Sequence, residues 1–152
     1  ISIISNPLSD NAGFASFINS NISEGGALNS FGVPYGFDGN DIENVIEYSL
    51  LGFSLDQMFE LKILTELPTC IKVDVDGIEH LILSGSINTL SNRNCKSVLV
   101  EVNDSFSQQS SEVRSILEQC GFILKNKTHA VMFDDDSHNH SSTYNQIWVR
   151  EN

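Results

Sequence analysis

The chain has 152 residues, the size of one domain and too short for two ordinary ones. With 40% hydrophobic residues it can build a packed core, which excludes disorder throughout. Twenty acidic against eight basic side chains leave a net charge of -12, the wrong sign for a reader of phosphate backbones, so no nucleic-acid partner is expected. The charge is also uneven: residues 1–61 carry eight carboxylates and no Lys or Arg, whereas 62–152 carry twelve acidic and eight basic groups. We therefore read 1–152 as a single domain, with a loop-rich acidic part over 1–61 and an α/β core over 62–152. Cys70, Cys95 and Cys120 are odd in number and lack metal-ligand spacing. Free thiols in the reducing cytoplasm follow, with neither structural zinc nor a disulfide framework. No apolar run approaches the ~20 residues that span a bilayer, so no membrane partner is expected. The chain opens on Ile1 with no basic and apolar leader, and the expectation is a piece of something longer.

In chain order, Ile1–Ser5 reads as a short strand stopped by Asn6-Pro7. Residues 11–40 are rich in Gly, Ser and Asn with scattered aromatics (Phe14, Phe17, Phe31, Tyr35, Phe37), which predicts a long loop packed on a surface. Residues 45–51 can form a strand. Ser54 with Gln57 three positions on matches a capping box, and Leu55, Met58, Phe59 and Ile63 share one face of the short helix that follows. Cys70–Val75 alternates Ile71, Val73 and Val75 against Lys72 and Asp74, a strand broken at Gly77. Ile78, Leu81 and Ile82 give helical spacing to Gly85, and a second turn runs through Ile87 and Leu90. Val98, Leu99, Val100 and Val102 form a nearly continuous apolar strand, as at a central position buried on both faces. Val113, Ile116, Leu117 and Cys120 predict a helix closed by Gly121. Phe122–Leu124, residues 131–133 and Gln146–Val149 complete the strands, the last pair as a hairpin. Alternating strands and helices define an α/β fold with a parallel sheet, extended by a C-terminal antiparallel strand.

Open parallel sheets carry their sites just beyond the carboxyl ends of the strands. Two strands here end in acidic clusters, Asp74-Val-Asp76-Gly77-Ile-Glu79-His80 and Glu101-Val-Asn103-Asp104. As neighbours they would face one cleft, and a helix N-terminus at 76–80 would favour ionised carboxylates. Such a cluster can shift pKa values, orient a substrate hydroxyl, hold a divalent cation or simply cap the helix. Asp134–Asp136, His138 and His140 lie in a Ser/Asn-rich loop without an element to fix their geometry, and are read as a solvated acidic loop, with no metal assigned.

Two resemblances fall on these residues. Asp74-x-Asp76-Gly77 is similar to the first motif of haloacid-dehalogenase-type phosphatases. This implies a nucleophile at Asp74, a general acid at Asp76, a late acidic motif at 131–136 and a lysine at 125 or 127 for Mg-dependent chemistry. The match departs at Ile78, where that family has Thr, and at Lys72 inside the strand. The longer stretch Ile71–Gly85 closely resembles the signature segment of FkbM-type methyltransferases, a branch of the S-adenosylmethionine-dependent class. Leu8-Ser9-Asp10 with Gly13 and Phe17, Ser54-Leu-Asp56, Leu99–Val102, Leu117–Phe122 and Asn145–Arg150 fit the same order. The resemblance implies a partial Rossmann-like methyltransferase sheet with helices on both faces. It further implies O-methylation of a hydroxyl on a sugar or natural-product-like small molecule. Asp74, His80 and Glu101 would be catalytic, with Asp74 or His80 as acceptor base, and Asp76, Glu79 and Asn103 would bind the acceptor. No stretch matches the class's Gly-rich cofactor loop. The resemblance therefore makes this a C-terminal portion with no cofactor-binding residue assigned, and with weak cofactor binding and little or no activity. It also implies an open apolar edge at residues 70–75, closed by self-association or by the N-terminal segment. A non-catalytic interaction module is the alternative from a different class.

Overall fold

The computed structural model describes residues 1–21, 28–43, 46–129 and 142–151. Seven strands and four helices are assigned within them: β1 (Gly13–Asn19), β2 (Ser30–Phe31), β3 (Ile46–Gly52), α1 (Leu55–Glu60), β4 (Cys70–Val73), α2 (Glu79–Ser84), α3 (Ile87–Ser91), β5 (Ser97–Asn103), α4 (Ser107–Gln119), β6 (Phe122–Thr128) and β7 (Thr143–Arg150). The strands form two sheets. One is antiparallel in the order β2-β1-β3, and the other is mixed in the order β4-β5-β7-β6. The α/β class and the partial Rossmann-like sheet expected from the sequence are both present.

Sequence chemistry accounts for most boundaries. Ser54 accepts from the Gln57 N–H at 3.2 Å while the Gln57 side chain accepts from the Ser54 N–H at 3.0 Å, the reciprocal capping box that starts α1. Two further N–H groups at the start of α3, those of Asn88 and Thr89, donate to the Asp56 carboxylate at 2.7 and 2.8 Å, which locks α1 to α3. α4 closes on Gly121 at φ 84°, a conformation that disfavours any residue with a Cβ.

Within the mixed sheet, β4 and β5 are parallel with Ile71 beside Val98 and Val73 beside Val100. β7 inserts antiparallel between β5 and β6. Period-two alternation then places Ile71, Val73, Val98, Val100, Val102 and Trp148 on one face, where they join Ile82 and Leu83 of α2, Leu90 of α3 and Val113 and Leu117 of α4 in one core. The two helices in substantial contact with the sheet, α2 and α4, sit on that face. On the other, Leu99, Glu101, Ile147 and Val149 are only half-buried and Ile123 is exposed. Of the two helical layers expected, the described residues supply one. β5 is accordingly central in the sheet but fully buried on a single face.

Two further expectations are corrected in the acidic part. Ile1–Ser5 forms no strand and pairs with none of the described strands, so its backbone groups are left to water, and Ile1 and Ile3 stand in solvent. Residues 11–40 are not one loop. β1 pairs with β3 over its whole length, Gly13 opposite Gly52 and Phe17 opposite Tyr48, so its strand character comes from a partner some 30 residues away. The possible strand at 131–133 lies outside the described residues.

Candidate functional site

The two acidic clusters do meet, since β4 and β5 are parallel neighbours and end on the same side of the sheet. Their side chains part company there. Asp74 is exposed and pairs with Lys72 at 2.6 Å on the open sheet face. Glu101, half-buried, lies on that same face by strand register and is close enough to Lys72 to help raise the ammonium's pKa, the larger cause being Asp74. Asp76 turns instead toward the segment before β2 and accepts from the Leu28 N–H at 2.7 Å.

Glu79, His80 and Asn103 are buried, at 3%, 0% and 3% exposure. They underpin the strand ends from within and do not line a cleft. The Glu79 carboxylate accepts from the Val75 N–H at 3.2 Å and from the Gln109 amide at 2.5 Å. Gln109 in turn accepts from the Asn103 N–H at 2.9 Å, and the Asn103 amide donates to the Phe37 carbonyl at 3.3 Å. One chain of hydrogen bonds therefore ties the ends of β4 and β5 to α2, α4 and the 34–41 loop. Burial pushes the Glu79 carboxyl up to about 8, against the N–H groups of Glu79, Val75 and Gly77 and the Gln109 amide, which all favour the ionised form. The expected helix-dipole preference for an ionised carboxylate is overridden, because α2 has only six residues and desolvation is the larger effect.

His80 packs against Tyr35, ring centroids 6.5 Å apart and nearly parallel, and against Phe106 edge-on at 5.8 Å. Its Nε2 lies 3.4 Å from the Tyr35 hydroxyl, and its Nδ1 has no hydrogen-bond partner among the described residues. Burial lowers its pKa, so the imidazole is neutral at pH 7. Gly77 makes this arrangement possible. At φ 120° its Cα approaches the 36–37 backbone so closely that a Cβ would stand 2.4 Å from the Gly36 carbonyl oxygen.

Beside the outer edge of β4 runs an open trough of about 920 Å³. Phe17, Phe31, Leu55, Phe59, Ile78 and Ile82 supply apolar wall, and Glu66, Asp74 and Asp76 supply carboxylates. Of the described residues that line it, Lys72 alone is cationic. No group of three or more metal-ligating side chains occurs among the described residues, and Asp134–Asp136, His138 and His140 lie outside them. No described helix is long and apolar enough to cross a membrane.

Sequence reasoning missed Lys72 as a site neighbour, Tyr35 and Phe106 as the walls around His80, and Gln109 as the hub. Only Gln109 left a signal: it sits four residues before Val113 on the buried stripe of α4, a polar group at a core position.

The apolar trough and its few polar groups lie at the carboxyl end of a parallel strand pair, the place where open α/β sheets carry their sites. A family profile described as Methyltransferase FkbM domain matches residues 2–124. The chain belongs to that family, and its class is methyltransferase. No curated protein and no solved structure matches it.

Proposed function

We propose that the chain is part of an S-adenosylmethionine-dependent O-methyltransferase acting on a hydroxyl of a sugar or natural-product-like small molecule. By itself it holds the cofactor weakly. The observation that carries the reading is the apolar trough with Asp74 and Asp76 at the end of β4, in a chain of the FkbM family. S-Adenosylmethionine joins an adenine, two cationic centres and a carboxylate. The trough's carboxylates suit the cations and its walls suit the adenine. Among the described lining residues the cofactor carboxylate would meet one cation, Lys72, already held by Asp74 at 2.6 Å, and no glycine whose turn would offer backbone N–H groups in its place. These residues do not make a complete cradle, and no step is derived through the cofactor.

On the acceptor side Asp74 is the preferred base. It is exposed, and a carboxylate there can orient a hydroxyl and take its proton. Asp76 adds an acceptor for the same substrate and Glu101 adds negative charge nearby. His80 is sealed between Tyr35 and Phe106, so its role is to hold the floor together with Glu79 and Asn103. Free thiols at Cys70, Cys95 and Cys120 support a cytoplasmic setting.

Titration calorimetry with S-adenosylmethionine and its demethylated product is the test. We expect no saturable heat below about 100 μM ligand; saturation below about 10 μM would overturn the incomplete-cradle reading. A non-catalytic interaction module is favoured by one observation, the outer edge of β4, which no described strand covers. The phosphatase reading is not supported, since Lys125 and Lys127 lie on β6, three strand spacings or about 14 Å from β4.

A further inference from the structure

We infer that the turn over residues 34–42 is a pH-sensitive strap: at neutral pH it lies over the carboxyl ends of β4 and β5, and it is released when the His80 imidazole beneath it takes up a proton. The turn is held together by its own backbone. The Gly36 N–H donates to the Asn40 carbonyl and the Gly39 N–H to the Gly36 carbonyl, both at 3.0 Å, and the Ile42 N–H donates to the Pro34 carbonyl at 2.9 Å. It can therefore lift as a unit. The chain enters it through a bend at Gly32, whose φ is 76°. On the strand ends it rests by close contact: Tyr35 stacks on His80 and meets Phe106 edge-on at 5.3 Å, and Gly36 lies against Gly77. The Phe37 carbonyl accepts from the Asn103 amide at 3.3 Å.

His80 is sealed from water, and the Tyr35 ring is one of the walls that seal it. A neutral imidazole suits that place, whereas an imidazolium between the Tyr35 and Phe106 rings would be stripped of its hydration. The groups that bear on its charge come from each element packed around it. The turn brings the Tyr35 hydroxyl, 3.4 Å from Nε2, and carries Asp38, which is engaged by Asn40, and exposed Asp41. The turn before α2 carries Asp76, engaged by the Leu28 N–H, and α2 carries Glu79, held neutral below about pH 8. Asp104, ahead of Phe106, pairs with Lys127, and α4 brings Glu112. Burial disfavours the charged ring and is the larger effect; Glu112 opposes it by favouring the imidazolium. The covered ring thus binds a proton less tightly than a hydrated one, so the strap is held above the ordinary histidine pKa of 6.5 and loosens as pH falls below it. Lifting the turn is the cheaper way to hydrate the ring, because α2 is anchored in the core by Ile82 and Leu83. Glu79 acts with the opposite sign, adding stability to the whole fold at low pH, so local release and global unfolding are separable. Release frees the Gly77 turn and with it Asp76 at the rim of the trough; that consequence for the acceptor rests on the methyltransferase reading, and the release itself does not.

Amide hydrogen exchange, followed by NMR on the full isotope-labelled chain and corrected for the intrinsic effect of pH, tests the strap without any ligand. From pH 7.5 to pH 5.5 the protection of the Gly36, Gly39 and Ile42 N–H groups should fall about fivefold, within the limit of roughly tenfold per pH unit for one linked proton. The N–H groups of Val100 and Val102 in β5 report global opening and should not fall with them. His80→Gln takes up no proton in this range, and protection of its turn should not change with pH. The imidazole resonances of wild-type His80 give a second reading that needs no variant: they should titrate below pH 6.5, in step with the loss of protection. Turn protection that ignores pH, or that falls in H80Q as it does in wild type, would overturn the inference. An imidazole titrating at or above 6.5, or a fall shared equally by Val100 and Val102, would overturn it as well.

Discussion

Glu79 makes the stability of this protein depend on pH in an unusual direction. Its carboxyl is raised from 4.5 to about 8 in the folded state, chiefly by burial. Between those values the folded chain binds a proton that the unfolded chain has released. The contribution is therefore fully present below pH 4.5, fades as pH rises, and is lost through pH 8. One pKa unit is worth about 1.36 kcal/mol, so the step from pH 5 to pH 8 removes about 3 to 4 kcal/mol. With a urea slope near 2 kcal/mol/M, that is a fall of roughly 2 M in the midpoint. Glu79→Gln has no such titration. It keeps an acceptor for the Val75 N–H but sets two amides against each other at Gln109, at about 1 to 2 kcal/mol. Urea unfolding of wild type and E79Q at pH 5, 6, 7 and 8 isolates the effect, because the other titrating groups cancel in the difference. Wild type should be the more stable at pH 5 and the less stable at pH 8. A difference that does not change with pH, or that moves in favour of wild type as pH rises, would refute the assignment of a buried proton to Glu79.

Gly77→Ala forces a Cβ to within 2.4 Å of the Gly36 carbonyl at φ 120° and should cost about 3 kcal/mol or more by thermal melting. Gln109→Leu leaves Glu79 without its amide donor and the Asn103 N–H without its acceptor, so a loss of about 3 kcal/mol in urea is expected. Asp56→Ala frees the N–H groups of Asn88 and Thr89 and the Thr89 hydroxyl. It should cost about 1 to 2 kcal/mol and speed amide exchange at the start of α3. In a chromogenic disulfide assay exposed Cys70 should react at once, and buried Cys95 and Cys120 only on unfolding; three fast thiols would contradict the packing of β5 and α4.

What the sequence determined by itself was everything that local chemistry decides. The Ser54–Gln57 box started α1, Gly121 ended α4, and the Ile71/Val73 alternation fixed which face of β4 is apolar. The stretch from Ile71 to Gly85 carried the family. The tertiary structure decided what depends on partners distant in the chain. β1 is a strand because β3 returns to pair with it, whereas Ile1–Ser5, for all its isoleucines, pairs with none of the described strands. The acidic clusters were legible as a group, but their division was not. Asp74 and Glu101 face outward, Asp76 turns to Leu28, and Glu79, His80 and Asn103 descend into the core, because α4 and the 34–41 loop fold over one side of the strand ends only. Burial, a property of that packing, keeps a proton on Glu79 that the residue type alone would have given up. The opening count of charges is sharpened in the same way: a net of -12 describes the chain, but only the fold shows which carboxylates face solvent, which line the trough and which is buried as an uncharged strut.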